Sequence, residues 1–66
     1  MNDVRFALPE ANCEKLLYDG VCWMQGSLIY GSDGKRWSLT LFENVREQRF
    51  INCPFDRVTH WMEIPK

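Results

Sequence analysis

Apolar and polar residues alternate with a period of two over much of this chain, the pattern of half-buried strands rather than of helices. The longest such stretch is Val21 to Phe42. At its middle, Gly31-Ser32-Asp33-Gly34 supplies residues that tolerate a tight turn, and Trp, Ile, Tyr, Leu and Thr on either side suit a pleated surface. A hairpin over 21–42 is therefore predicted. With residues 31–34 as the loop, Tyr30 opposes Lys35 and Leu28 opposes Trp37; with Asp33-Gly34 alone, Tyr30 opposes Trp37 and Leu28 opposes Leu39. Both registers give the same two faces, because a slip of two preserves the alternation. Met24, Gly26, Leu28, Tyr30, Trp37, Leu39 and Leu41 form the expected core side. Trp23, Gln25, Ser27, Ile29, Arg36, Ser38, Thr40 and Phe42 form a mixed side with an aromatic end.

The flanks read less sharply. Val4, Phe6 and Leu8 alternate over residues 1–8 and suggest a short edge strand. Residues 9–17 offer two readings: a helix with Pro9 in its first turn, or a turn leading into a strand at Lys15–Tyr18. Asp19-Gly20 favours the strand, as a two-residue hairpin turn pairing Leu17 with Cys22 and Leu16 with Trp23. Gly26, inside a long strand, marks a bend or a close backbone approach. Glu43-Asn44 is the next expected turn, Val45 to Asn52 the next strand, and Arg57 to Met62 the last. About five short strands joined by turns predict an all-β domain, a small antiparallel barrel of the SH3-like kind with the hairpin 21–42 at its centre. The alternative is an open antiparallel sheet carrying a helix at about 9–17.

Size and charge narrow the classes of function. Sixty-six residues make one domain, whose core is small enough that its three Trp carry much of the buried area. The net charge of −1 argues against a nucleic-acid binder driven by basic charge. It is nevertheless uneven: residues 1–34 sum to −3 and residues 35–66 to +2. Three cysteines, an odd count, and an N-terminus without a basic start or an apolar run predict a reducing cytosol. No apolar run approaches the ~20 residues of a membrane span.

Cys13, Cys22, Cys53 and His60 are a zinc inventory by residue type, but they contain no close pair of ligands, so no metal or cofactor is expected. Cys13 is expected exposed, with Cys22 and Cys53 as small packing residues. His60 as a base for Cys22 or Cys53 lacks any visible activating partner. A half-buried, hydrogen-bonded His60 is the expectation, and the chain is read as no enzyme.

At both ends the residues are familiar. Leu8-Pro9-Glu10, then Lys15-Leu16-Leu17-Tyr18-Asp19-Gly20, and finally Val58-Thr59-His60-Trp61-Met62-Glu63-Ile64-Pro65 resemble a family of short phage and prophage proteins of unknown function. Members of that family read L-P-E, a short turn, V-L-V-Y-D-G, and end on T-H-W-M-P-L-P; Glu63 stands where they carry Pro. The resemblance implies a bacterial or phage protein of the host cytosol and a strand at Leu16–Tyr18, and brings no catalytic residues.

The leading functional expectation is a protein–protein interaction module, a phage accessory protein that binds a host protein or protein complex such as a defence system. Trp and Arg dominate binding hot spots, and Trp23, Ile29, Arg36, Phe42, Arg46 and Arg49 are the candidate contact residues. Exposed strand edges also permit a homodimer. The alternative is a small barrel that stacks single-stranded nucleic acid on Trp23 and Phe42 beside Arg36. Trp37 is the Trp expected in the core, with Trp23 and Trp61 open to either place.

Overall fold

A computed structural model describes residues 1–65. It contains β1 (Asn2–Asp3), β2 (Lys15–Tyr18), β3 (Trp23–Gly31), β4 (Gly34–Asn44), β5 (Glu47–Pro54) and β6 (His60–Met62), with one turn of 3-10 helix at Phe55–Arg57. All six strands lie in one antiparallel sheet in the order β1-β6-β2-β3-β4-β5. The all-β antiparallel expectation holds, with the hairpin of β3 and β4 at the centre.

The hairpin takes the first of the two registers. Leu28 opposes Trp37, Tyr30 opposes Lys35 and Gly31 opposes Gly34. Gly34 alone in this turn adopts a positive φ, 116°, as in a type I turn closed by a left-handed glycine. At Gly26 the reason for glycine is close approach: a Cβ there would lie 2.5 Å from the Ser38 carbonyl oxygen and 3.0 Å from Leu17 Cδ1.

Several expectations are corrected. Tyr18 pairs with Trp23 and Leu17 with Met24, two residues away from the predicted register. The cause is Asp19, whose carboxylate accepts from the backbone N–H groups of Val21 and Cys22, both at 2.8 Å, and so widens the turn. The faces are unchanged. No helix forms over 9–17: Asn12 sits at φ 62°, Pro9 is buried, and Asn12 N donates to Leu28 O at 2.8 Å. This segment therefore lines the part of the β3 edge that short β2 leaves open. The N-terminal strand stops at Asp3, because the Asp3 carboxylate accepts from Arg5 N at 2.8 Å and the Asp3 carbonyl accepts from Phe6 N and Ala7 N at 3.0 Å, folding the chain into a turn. The β4–β5 turn is Val45-Arg46, not Glu43-Asn44, since Asn44 Oδ1 accepts from Arg46 N at 2.8 Å and Glu47 N at 3.1 Å.

The sheet is open between edge strands β1 and β5, so no barrel closes. Cover comes from the chain itself. The segment after Pro54 leaves the β5 edge and crosses the core side to reach β6, which lies between β1 and β2. Its Phe55 stacks on Trp37 with centroids 5.7 Å apart and planes at 8°, and Val58 is buried. Leu17, Leu28, Trp37, Leu39, Cys53 and Val58 form the core, with Val4, Met24, Phe55 and Trp61 packed against it.

Candidate functional site

The parting of β3 from β4 sets up the longest exposed run among the described residues. The β3–β4 ladder runs only as far as Gln25 opposite Thr40, whereas β4–β5 continues to Asn44 opposite Glu47, with a bulge between Phe42 and Asn44. Beyond Thr40 the two strands therefore project as a two-stranded arm. Every residue from Leu41 to Phe50 is exposed. Leu41 and Ile51 point to the core side of the arm and Phe42 and Phe50 to the other, as the pairing of Leu39 with Ile51 and Thr40 with Phe50 requires. Phe42 is 56% exposed, Phe50 62% and Val45, at the tip, fully exposed. A two-stranded ribbon with apolar side chains bare on both faces is not stabilised by water alone.

The six sequence-predicted contact residues divide between two places. Trp23, Ile29, Arg36 and Phe42 share the face opposite the core, as read from the alternation. Trp23 is 43% exposed and its ring lies 5.0 Å from Tyr18, Ile29 is half-buried, and Arg36 and Phe42 are exposed. Arg46 stands at the arm's tip, and Arg49 lies on the core-side face, opposite Leu41. Charge on this surface is largely matched: Arg36 pairs with Asp33, and Arg49 Nη1 lies 2.5 Å from Glu43 Oε1. Both partners of the Arg36–Asp33 pair titrate accordingly, Asp33 lowered and Arg36 raised, through their mutual hydrogen bond. Phe50, Leu41, Val45 and Ile51 are contact candidates that sequence reasoning missed. Leu41 read as a core-side residue and the other three as part of the strand over Val45 to Asn52, and only the pairing of the strands shows them bare.

Behind Phe50, Thr40 is a buried polar residue on this face, satisfied by Glu14, whose Oε1 accepts from Thr40 Oγ1 at 2.5 Å.

A second feature is a cleft of about 450 Å³ lined by Asp3, Val4, Arg5, Phe55, Asp56, Val58, Thr59 and His60. His60 Nδ1 lies 2.9 Å from Thr59 Oγ1 and Nε2 lies 3.7 Å from Asp3 Oδ2. This Asp–His–Thr order has the composition of a catalytic triad, but the proton count opposes that use. Thr59 Oγ1 donates its one proton to the Tyr18 carbonyl at 3.2 Å, so in this arrangement Nδ1–H is the donor to Thr59 and cannot remove its proton. Asp3 is committed to Arg5, whose hydrogen bonds hold the carboxyl down to about 2. Half-buried His60 thus has the hydrogen-bonded placement expected of it.

The cysteines lie apart. Cys53 is buried, and burial raises its thiol; Cys13 is half-buried and Cys22 is exposed, which reverses the expectation for those two. Cys22 is exposed because the wider Asp19 turn lifts it off the sheet. Among the described residues, no three His, Cys, Asp or Glu side chains converge in a metal-binding group, and no helix is long and apolar enough to cross a membrane.

Comparison with known protein families, curated proteins and solved structures finds no match for this chain.

Proposed function

We propose that the chain is a non-enzymatic protein–protein interaction module, an accessory protein of phage or prophage kind that docks on a host protein complex in the bacterial cytosol. A defence complex is the concrete form. The observation that carries the reading is the arm, where Leu41 to Phe50 are all exposed while two Phe and Val45 stand among them. Large exposed apolar groups rimmed by polar residues mark interaction surfaces. The adjoining Trp23 and Arg36 add the residue types that anchor protein contacts. Nucleic acid is the weaker partner for this surface, since Arg36 and Arg49 already sit in ion pairs and the net charge is −1.

The test is reconstitution. A host protein retained stoichiometrically by the wild-type chain is purified and its binding measured against Trp23→Ala, Arg36→Glu and Phe42→Ser. Loss of binding in at least two folded variants supports the reading. Unchanged affinity in all three removes the arm and its adjoining face as the working surface.

A further inference from the structure

The free edge of β5 points to its own occupant. We infer that two copies of this chain pair antiparallel through β5, extending the sheet across a two-fold axis at Phe50. This inference rests on reading the arm as a contact surface, and adds who covers its edge.

The direction of the backbone groups follows from the ladder. Asn12 N donates to Leu28 O, so Leu28 turns its polar groups away from β4. Its partner Trp37 must then turn its own away from β3, toward Cys53, because hydrogen-bonded and non-hydrogen-bonded pairs alternate along an antiparallel ladder. Leu39 and Leu41 follow with Ile51 and Arg49. Gln48, Phe50 and Asn52 are left with N–H and C=O groups directed outward, an unpartnered template for another strand. Pro54 occupies the next outward position, where a missing N–H breaks no bond to β4.

The side chains select one register. With Phe50 opposite Phe50 of the second copy, Gln48 faces Asn52, Arg49 faces Ile51 and Glu47 faces Cys53. The strands overlap over Glu47 to Cys53, and an aromatic pair sits at the axis. A slip of one pair toward the turn sets Arg49 against Arg49. A slip the other way sets Gln48 against Pro54, which has no N–H to give. Charge permits the approach, because this segment carries one Glu and one Arg and no net charge.

Area agrees. The chain exposes 4782 Å², against roughly 4,400 Å² expected of a compact monomer of its mass. Of the arm's five exposed apolar side chains, Phe50 and Ile51 lie within the overlap, 62% and 41% exposed.

Sedimentation equilibrium of the wild-type chain at high micromolar concentration tests this, with Phe50→Lys and Asn52→Pro as edge variants. Near-ultraviolet circular dichroism reports whether Trp37 stays packed. The expected result is a wild-type mass of twice 7.9 kDa and folded variants at the monomer mass. A wild-type monomer overturns the inference, and so does a dimer that both folded variants leave intact. A monomer that still binds a host protein through Trp23 and Phe42 overturns only the dimer, leaving the interaction reading in place.

Discussion

Trp37 and Phe55 hold each other twice: the rings stack, and Trp37 Nε1 donates to the Phe55 carbonyl oxygen at 2.8 Å. One residue lies mid-strand and the other on the segment that crosses the sheet, so this contact fastens the cover to the core. Trp37→Phe keeps a ring for stacking but leaves the carbonyl without its donor. It is expected to cost about 1–3 kcal/mol, whereas Trp37→Ala costs about 3–5 kcal/mol. A domain of this size has a margin of only about 3–5 kcal/mol. Urea unfolding followed by circular dichroism should therefore find Trp37→Phe folded with a lowered midpoint and Trp37→Ala largely unfolded in buffer.

Gly26 is the position where a single methyl group does most harm. The obstructing atom for a Cβ is the Ser38 carbonyl oxygen at 2.5 Å, which belongs to backbone and cannot swing aside. Gly26→Ala must push β4 away from β3 and is expected to destabilise by about 1–3 kcal/mol. At Gly31 the nearest obstructing atom is a side-chain oxygen of Asp33 at 3.4 Å. Gly31→Ala should have the smaller effect in the same urea series, and equal midpoints would contradict the close-approach account.

How far the chain could be read in advance depended on whether local residues decide the geometry. The hairpin faces were legible because Leu28 and Trp37 keep their side of the sheet in either register. The β2–β3 offset was not, because it depends on Asp19 reaching two backbone N–H groups rather than on the identity of the turn residues. Barrel closure was predicted from the strand count and from a bend at Gly26. The single 3-10 turn that carries Phe55 onto Trp37 leaves no periodic signal in three residues. Among the contact candidates, Trp23 and Phe42 were legible as an aromatic end. Phe50 was not, since its exposure follows from the place of β5 at the edge of the sheet.

Acid should loosen the N-terminus in a defined window. Asp3 is lowered from 3.8 to about 2, first through its side-chain hydrogen bond with Arg5 and next through the Arg5 backbone N–H. A depressed carboxyl contributes stability that is present above its unfolded value and lost as pH falls through its folded value. The turn after β1 should therefore weaken between about pH 4 and pH 2, the interval set by that shift. In proton–nitrogen NMR the Arg5 amide, 2.8 Å from Asp3 Oδ1, should titrate with a midpoint near 2. A midpoint at the ordinary 3.8 would show that the Arg5 clasp does not hold in solution, and Asp3→Asn should abolish the transition.

The arm and the core make opposite predictions for the same kind of substitution, and that contrast separates a contact surface from a poorly packed one. Leu28 is completely buried opposite Trp37, so Leu28→Ala removes packing and leaves a cavity, at a cost of about 2–5 kcal/mol. Val45 is as apolar but fully exposed at the tip, and Phe42 is more than half exposed. Val45→Ser and Phe42→Ser leave no cavity and should change stability by no more than about 0.5 kcal/mol. Selection for folding alone gives no reason to keep these side chains apolar, because water faces them on both sides of the ribbon. If urea midpoints show that Val45→Ser and Phe42→Ser cost as much as Leu28→Ala, the arm is folded back onto the body of the protein and its apolar residues are structural. If the midpoints stay with the wild type while self-association or partner binding falls, the apolar character of the arm serves contact rather than folding.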